Sequence, residues 1–112
     1  MSRHDDQVSM RQMLDHAREA VGIAKSKARE DLDRDRMLNL ALTRLIEIIG
    51  EAANRIDNDT QLKHPEIPWP EIIAMRNRVI HAYDEVDLNV LWDVIDLDLP
   101  PLIEQLRSIV EQ

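Results

Sequence analysis

Met37-Leu38-Asn39-Leu40-Ala41-Leu42-Thr43-Arg44-Leu45-Ile46-Glu47-Ile48-Ile49-Gly50-Glu51-Ala52-Ala53-Asn54-Arg55-Ile56 is the stretch that decides the fold. Leu38, Leu42, Leu45, Ile49, Ala52 and Ile56 recur at spacings that alternate between four and three, the repeat of one apolar helix face. Met37, Leu40, Ala41, Ile46, Ile48 and Ala53 lie off that stripe. A helix apolar over more than one face must bury more than one face. The pattern, with polar flanks to about Asp33 and Asp57, predicts a long second helix that sits centrally or adds a subunit interface to the core.

Three more helices are read outward from it. Val8, Met13, Leu14, Ala17, Val21 and Ala24 give an apolar face to a first helix over about Asp5 to Lys27. Asn58 to Pro70 reads as a linker, because Pro65, Pro68 and Pro70 forbid a continuous helix. Trp69-Pro70 opens a third helix that runs to about His81 or Tyr83, proline being favoured in a first turn. Asp87 suits the N-cap of a fourth, carrying Leu88, Leu91, Trp92 and Ile95. Pro100 and Pro101 imply a kink or two abutting helices before Leu102, Ile103, Leu106 and Val110 resume the pattern. Phenylalanine is absent and strand-like alternation is missing. The expectation is one all-α domain over residues 1–112, an antiparallel bundle of four to five helices.

Composition removes several function classes. A chain of 112 residues can bury a core without staples. It has no cysteine, which excludes disulfides and thiolate metal sites. With only Gly22 and Gly50, it cannot build the glycine-rich loops that cradle nucleotide phosphates. No apolar run approaches the roughly 18 residues of a membrane span, and the polar start is unlike a secretory signal, so a cytoplasmic location is expected. The formal charge of −8 argues against a generic nucleic-acid binder and confines any RNA-directed role to a local basic pocket.

Chemistry concentrates in Met75-Arg76-Asn77-Arg78-Val79-Ile80-His81-Ala82-Tyr83. Arginine holds phosphate with a planar fork of donors, and histidine moves a proton near neutral pH. Together they suggest phosphodiester chemistry without a metal. Projected at about 100° per residue from Ile72, Arg76 falls near 40°, inside the apolar arc, while Asn77 and His81 fall near 140° and 180°. At that spacing Asn77 can orient the imidazole. A buried salt bridge to Glu47 or Glu51 is the structural alternative for Arg76, and Glu51 beside Gly50 is the favoured partner. A plain helix-end position is the corresponding alternative for His81, and a core position for Tyr83.

The stretch resembles the Arg-x4-His motif of HEPN-domain ribonucleases, and His81-Ala82-Tyr83 matches the longer form typical of HepT-type toxins. Ile49-Gly50-Glu51-Ala52-Ala53, Ile67-Pro68-Trp69, Val86-Asp87, Leu91-Trp92 and Leu99-Pro100 extend the resemblance, in order, over nearly the whole chain. It implies a homodimeric, metal-independent endoribonuclease without a cofactor, the toxin of a toxin–antitoxin pair. His81 would take the proton of a ribose 2′-hydroxyl, and Arg76 would hold the phosphate that the oxygen attacks. A 2′,3′-cyclic phosphate would result, and DNA would be spared. Asn77 and Arg78 would be auxiliary. The implied partner is a small nucleotidyltransferase antitoxin (MNT type) that adds AMP to Tyr83, silencing the nuclease. The alternative is a non-catalytic helical subunit that docks such a nucleotidyltransferase.

Other constellations are weaker. Asp31, Asp33 and Asp35 repeat the start of a calcium loop, but Arg36 and Leu42 stand where its glycine and glutamate belong. His4, His16 and His64 have no ligand-like spacing and read as surface residues.

Overall fold

The computed structural model describes residues 5–82 and 85–111. Its helices are α1 (Asp6–Ala24), α2 (Asp31–Arg34), α3 (Arg36–Arg55), α4 (Asn58–Lys63), α5 (Trp69–Ile73), α6 (Met75–Val79), α7 (Leu88–Asp93) and α8 (Leu99–Val110). A π-helical stretch, Val94–Asp98, joins α7 to α8. No described residue lies in a strand longer than the single antiparallel bridge between Ile80 and Val86. The fold is an all-α bundle, as the periodicity predicts.

Helix α3 is the central rod, packed on α1, α5 and α6. All six residues of its predicted stripe are buried, and so are Ile46 and Ala53 from the second face. Met37 and Leu40 instead remain in solvent. Asp35 starts the helix: its backbone is extended and its carboxylate accepts from the Leu38 N–H at 3.1 Å. That cap separates α3 from α2, so the helix begins later than the expected Asp33.

Helix α1 runs antiparallel to α3, which the bonds at its start make plain. The Asp6 carboxylate accepts from the Asp57 N–H and the Thr60 hydroxyl just beyond the far end of α3. Its buried face is Met10, Met13, Leu14, Ala17, Ala20 and Ala24, with Ser9. The expected Val8 is half exposed, because the face is centred on Met10 and Leu14 and Val8 falls outside the contact with α3. At the other end of the chain, Glu111 bonds Arg11 and Arg18, while Pro100 at the start of α8 shares a hollow with Val21 and Ala24 near the end of α1, so α8 runs antiparallel to α1 as well.

One expectation about a connection changes, and another holds. The segment from Asn58 contains α4, which makes a short turn before Pro65. The indole N–H of buried Trp69 donates to the Gln61 and His64 carbonyls at 3.1 and 3.0 Å and pins that turn to α5. At the double proline the expected pair of abutting helices is found, α7 and α8, joined through the π-helical stretch. The Leu99 N–H bonds the Val94 carbonyl, five residues back, and this wider turn makes room for Pro100 and Pro101 in the first turn of α8.

Candidate active site

The motif does not lie on one continuous helix. Ala74, with ψ near −2°, separates α5 from α6, and Ile80 turns extended, ending α6 at Val79. The expected run to His81 or Tyr83 is therefore too long. Ile72, Met75 and Val79 are buried, while Arg76 points outward with 46% of its side chain exposed. Bonds from the Ala74 N–H to Pro70 and from the Arg78 N–H to Ala74 carry the helical pitch across the break, but Ile73 and Ile80 are only half-buried, so the buried arc is narrower than the projection implies and Arg76 lies outside it.

Arg76 lies over α3. Its Nε is 3.5 Å from Glu47 Oε2, and its guanidinium donates to Asn77 Oδ1 at 3.4 Å. Asn77 thus braces the arginine rather than the histidine, since the helical spacing to His81 is lost when α6 ends. The preference for Glu51 as the partner of Arg76 is also corrected. Glu51 is 3.7 Å from Arg44 on its own helix, and Glu47 is the carboxylate nearer α6. Both glutamates still line the same shallow hollow with Gly50, Asn54, Arg76 and Asn77. Gly50 faces the end of α5, where a Cβ would stand in ordinary contact with the Ile72 and Ile73 carbonyl oxygens, at 3.4 and 3.5 Å. The pair between Arg76 and Glu47 is solvated and adds little stability, so an incoming phosphate can compete for the arginine.

His81 sits elsewhere. The bridge between Ile80 and Val86 folds the chain back, the His81 N–H donates to the Glu85 carbonyl at 2.7 Å, and the Asp87 N–H donates to that of Val79 at 2.8 Å. His81 Nε2 faces Asp87 Oδ2 at 3.7 Å, while Asp87 Oδ1 accepts from the Val90 N–H at 3.1 Å and caps α7. One carboxylate thus starts a helix and stands beside the imidazole. Sequence reasoning identified Asp87 only as a cap; its spacing of six from His81 matches no helical contact, so nothing in the sequence signals the second role. Arg29 and Asn89 complete this hollow and are joined at 2.7 Å.

Arg78 faces a third way, bonded to Asp98 at 3.0 Å near α8. Within one chain Arg76 and His81 therefore line different hollows. Tyr83 and His4 lie outside the described residues. Asp31, Asp33 and Asp35 serve the Ala28 N–H, Arg29 and the Leu38 N–H respectively. His16 bonds the Gln12 carbonyl, and His64 lies near Glu66.

A family model described as "Ribonuclease HepT-like" matches residues 13–109, a span that contains every motif residue. The chain belongs to the HepT-like ribonuclease family. Among the relatives of this HepT-like chain, "Probable ribonuclease HepT" of Thermococcus cleftensis is 41% identical, over 89% of this chain and 97% of its own length. "Putative RNase MJ1380" of Methanocaldococcus jannaschii is 30% identical, over 97% of this chain and 100% of its own. No solved structure matches. Among the described residues of this HepT-like protein, no helix is long and apolar enough to cross a membrane.

Proposed function

We propose that this HepT-like ribonuclease is the toxin of a toxin–antitoxin pair and cuts RNA without a metal ion. His81 removes the proton of a ribose 2′-hydroxyl, and the oxygen attacks the adjacent phosphorus. The bond to the 5′-oxygen breaks, that oxygen takes a proton from solvent, and a 2′,3′-cyclic phosphate remains. Arg76, braced by Asn77, holds the phosphate and the extra negative charge it gains in the transition state. Arg78 is auxiliary and reaches the substrate only on release from Asp98. Lacking the 2′-hydroxyl, DNA is spared.

The observation that carries this reading is the exposure of both motif side chains. Arg76 and His81 are each about half exposed and face carboxylates only at 3.5 and 3.7 Å, a loose hold that leaves them open to a ligand. Their separation into two hollows supports a homodimer in which Arg76 of one chain serves His81 of the other. Exposed Met37 and Leu40, on the helix that carries Glu47, offer apolar surface for that contact. The same separation favours the second reading, a binding subunit that docks a nucleotidyltransferase and cuts nothing.

Mixing separates the two. Arg76→Ala and His81→Ala chains should each be inactive on RNA, and their mixture should regain cleavage through one intact composite site. Activity in the presence of EDTA should equal that in its absence. Full cleavage by the His81→Ala chain would remove the nuclease mechanism. Silencing is assigned to a nucleotidyltransferase antitoxin that transfers AMP to Tyr83, with both proteins in the cytoplasm. Co-expression should add an AMP-sized mass to the wild type and none to Tyr83→Phe.

A further inference from the structure

Positive charge gathers in one place that the motif does not include. Lys25-Ser26-Lys27-Ala28-Arg29 places three cations in five residues with no acid among them, in a chain of formal charge −8. These residues form the loop between α1 and α2, and hydrogen bonds fix its course. The Lys27 N–H donates to the Ala24 carbonyl at 2.9 Å, and the Ala28 N–H to the Asp31 carboxylate at 2.7 Å. Both lysines are exposed.

A hollow opens on each side of this loop. Arg29, His81, Asp87 and Asn89 line the first. Lys25, Lys27, Trp92 and Asp96 line the second, over an apolar floor from Val21 and Ile95. Asn89, which holds Arg29, and Trp92 are one turn apart on α7, a rise of about 4.5 Å, so the hollows follow one helix face. The two tryptophans differ in their surroundings. Trp69 is buried with its N–H bonded to two carbonyls. Trp92 is only partly buried, and no described residue accepts from its indole N–H.

We infer that the Lys25–Arg29 loop and Trp92 form a binding track for single-stranded RNA flanking the bond cut at His81. The inference rests on the reading of His81 as the base. A nucleobase stacks on the Trp92 indole, which accepts any base because every base has a π-face. Phosphates on either side lie along Lys25 and Lys27, on the side of the loop away from Asp87 and Glu85. Asp96 supplies an acceptor for a ribose hydroxyl or a base amine. The track gives an acidic protein local affinity for a polyanion, with the carboxylates around it keeping the contact narrow.

Tryptophan emission tests this directly, since Trp69 is shielded and Trp92 is not. The His81→Ala chain, used to prevent cleavage, should show saturable quenching with a short oligouridylate. Trp92→Leu in that background should lose the quench. Lys25→Gln with Lys27→Gln should weaken binding about tenfold and lower the salt slope by roughly 1.4, the value for two phosphate contacts on a single strand. These lysines are exposed, so this variant decides the matter even if Trp92→Leu fails to fold. Absence of quenching, or unchanged affinity in the double lysine variant, overturns the track. Cleavage by the wild type is read separately. A chain that binds with quenching yet leaves RNA uncut keeps the track and removes the catalytic reading.

Discussion

The α1–α3 pair and the segment from Ala74 to Asp87 belong to one chain but hold their residues in place by different means. In the pair, side chains at helical spacing bury one another: Met10, Met13, Leu14 and Ala17 against Leu42, Ile46, Ile49 and Ala53. In the segment, main-chain bonds from residues beyond α6 fix the course, and the chemically able side chains point into solvent. A change of side chain in the pair should therefore cost stability, and one at the exposed Arg76 or His81 should cost chemistry.

The largest test of that contrast is Leu42→Ala. Leu42 is fully buried, so its truncation should cost about 2–5 kcal/mol, read as a lower urea midpoint. His81→Ala should leave the midpoint in place, because 52% of its side chain is exposed, and lower RNA cleavage by about 10²–10⁴-fold. If the histidine variant unfolds as readily as the leucine one, the contrast is broken.

Asp87 sharpens it, since this residue serves both ends of the argument. Asp87→Ala removes the cap of α7 and should cost about 1 kcal/mol as well as activity. Asp87→Asn keeps a capping oxygen, so unfolding should shift by only a few tenths of a kcal/mol. Its cleavage rate should still fall, because the carboxylate facing His81 is gone. Equal rates for Asp87→Asn and wild type would reduce Asp87 to a cap.

Gly50 tests how the two regions meet. A methyl group there stands in ordinary contact with the carbonyl oxygens of Ile72 and Ile73. Gly50→Ala should thus gain up to about 1 kcal/mol from helix propensity. A loss of stability instead would mean that α5 needs a closer approach than the structure shows.

The smallest effect belongs to the ion pairs between α1 and the end of α8. Hydrogen bonds from Arg18, with help from Arg11, hold the Glu111 carboxyl down at about 2 against an ordinary 4.5. A depressed acid stabilises the fold above its unfolded value, and that contribution fades as pH falls from about 4.5 toward about 2. Glu111→Gln should flatten the acid limb of the stability curve slightly and leave neutral-pH cleavage alone.

Much of the pair was legible in the sequence, and much of the segment was not. Leu38 to Ile56 announced α3 because a long helix repeats its signal over many turns. Asp87 announced α7 because capping is local. The break at Ala74 carries no glycine or proline to mark it, and the end of α6 at Val79 is tied to the pairing of Ile80 with distant Val86. Asn58–Lys63 reads as linker because the prolines that follow forbid a continuous helix, and six residues with Leu62 as the one apolar side chain are too few to show a period. Arg76 and His81 were identifiable as residues, but their division between two hollows depends on these tertiary contacts. The choice between Glu47 and Glu51 turned on the path of α6 across α3.

The bond from the Asp87 N–H to the Val79 carbonyl joins the two ends of the short segment that carries His81. The entropy lost in bringing loop ends together grows only with the logarithm of length, so for so few residues it is on the order of 2 kcal/mol. Folding meets that cost once, long before a substrate arrives. Under the nuclease reading proposed above, the main chain at His81 is set before a substrate arrives, and the attraction between protein and substrate can act on the phosphate as its bonds change.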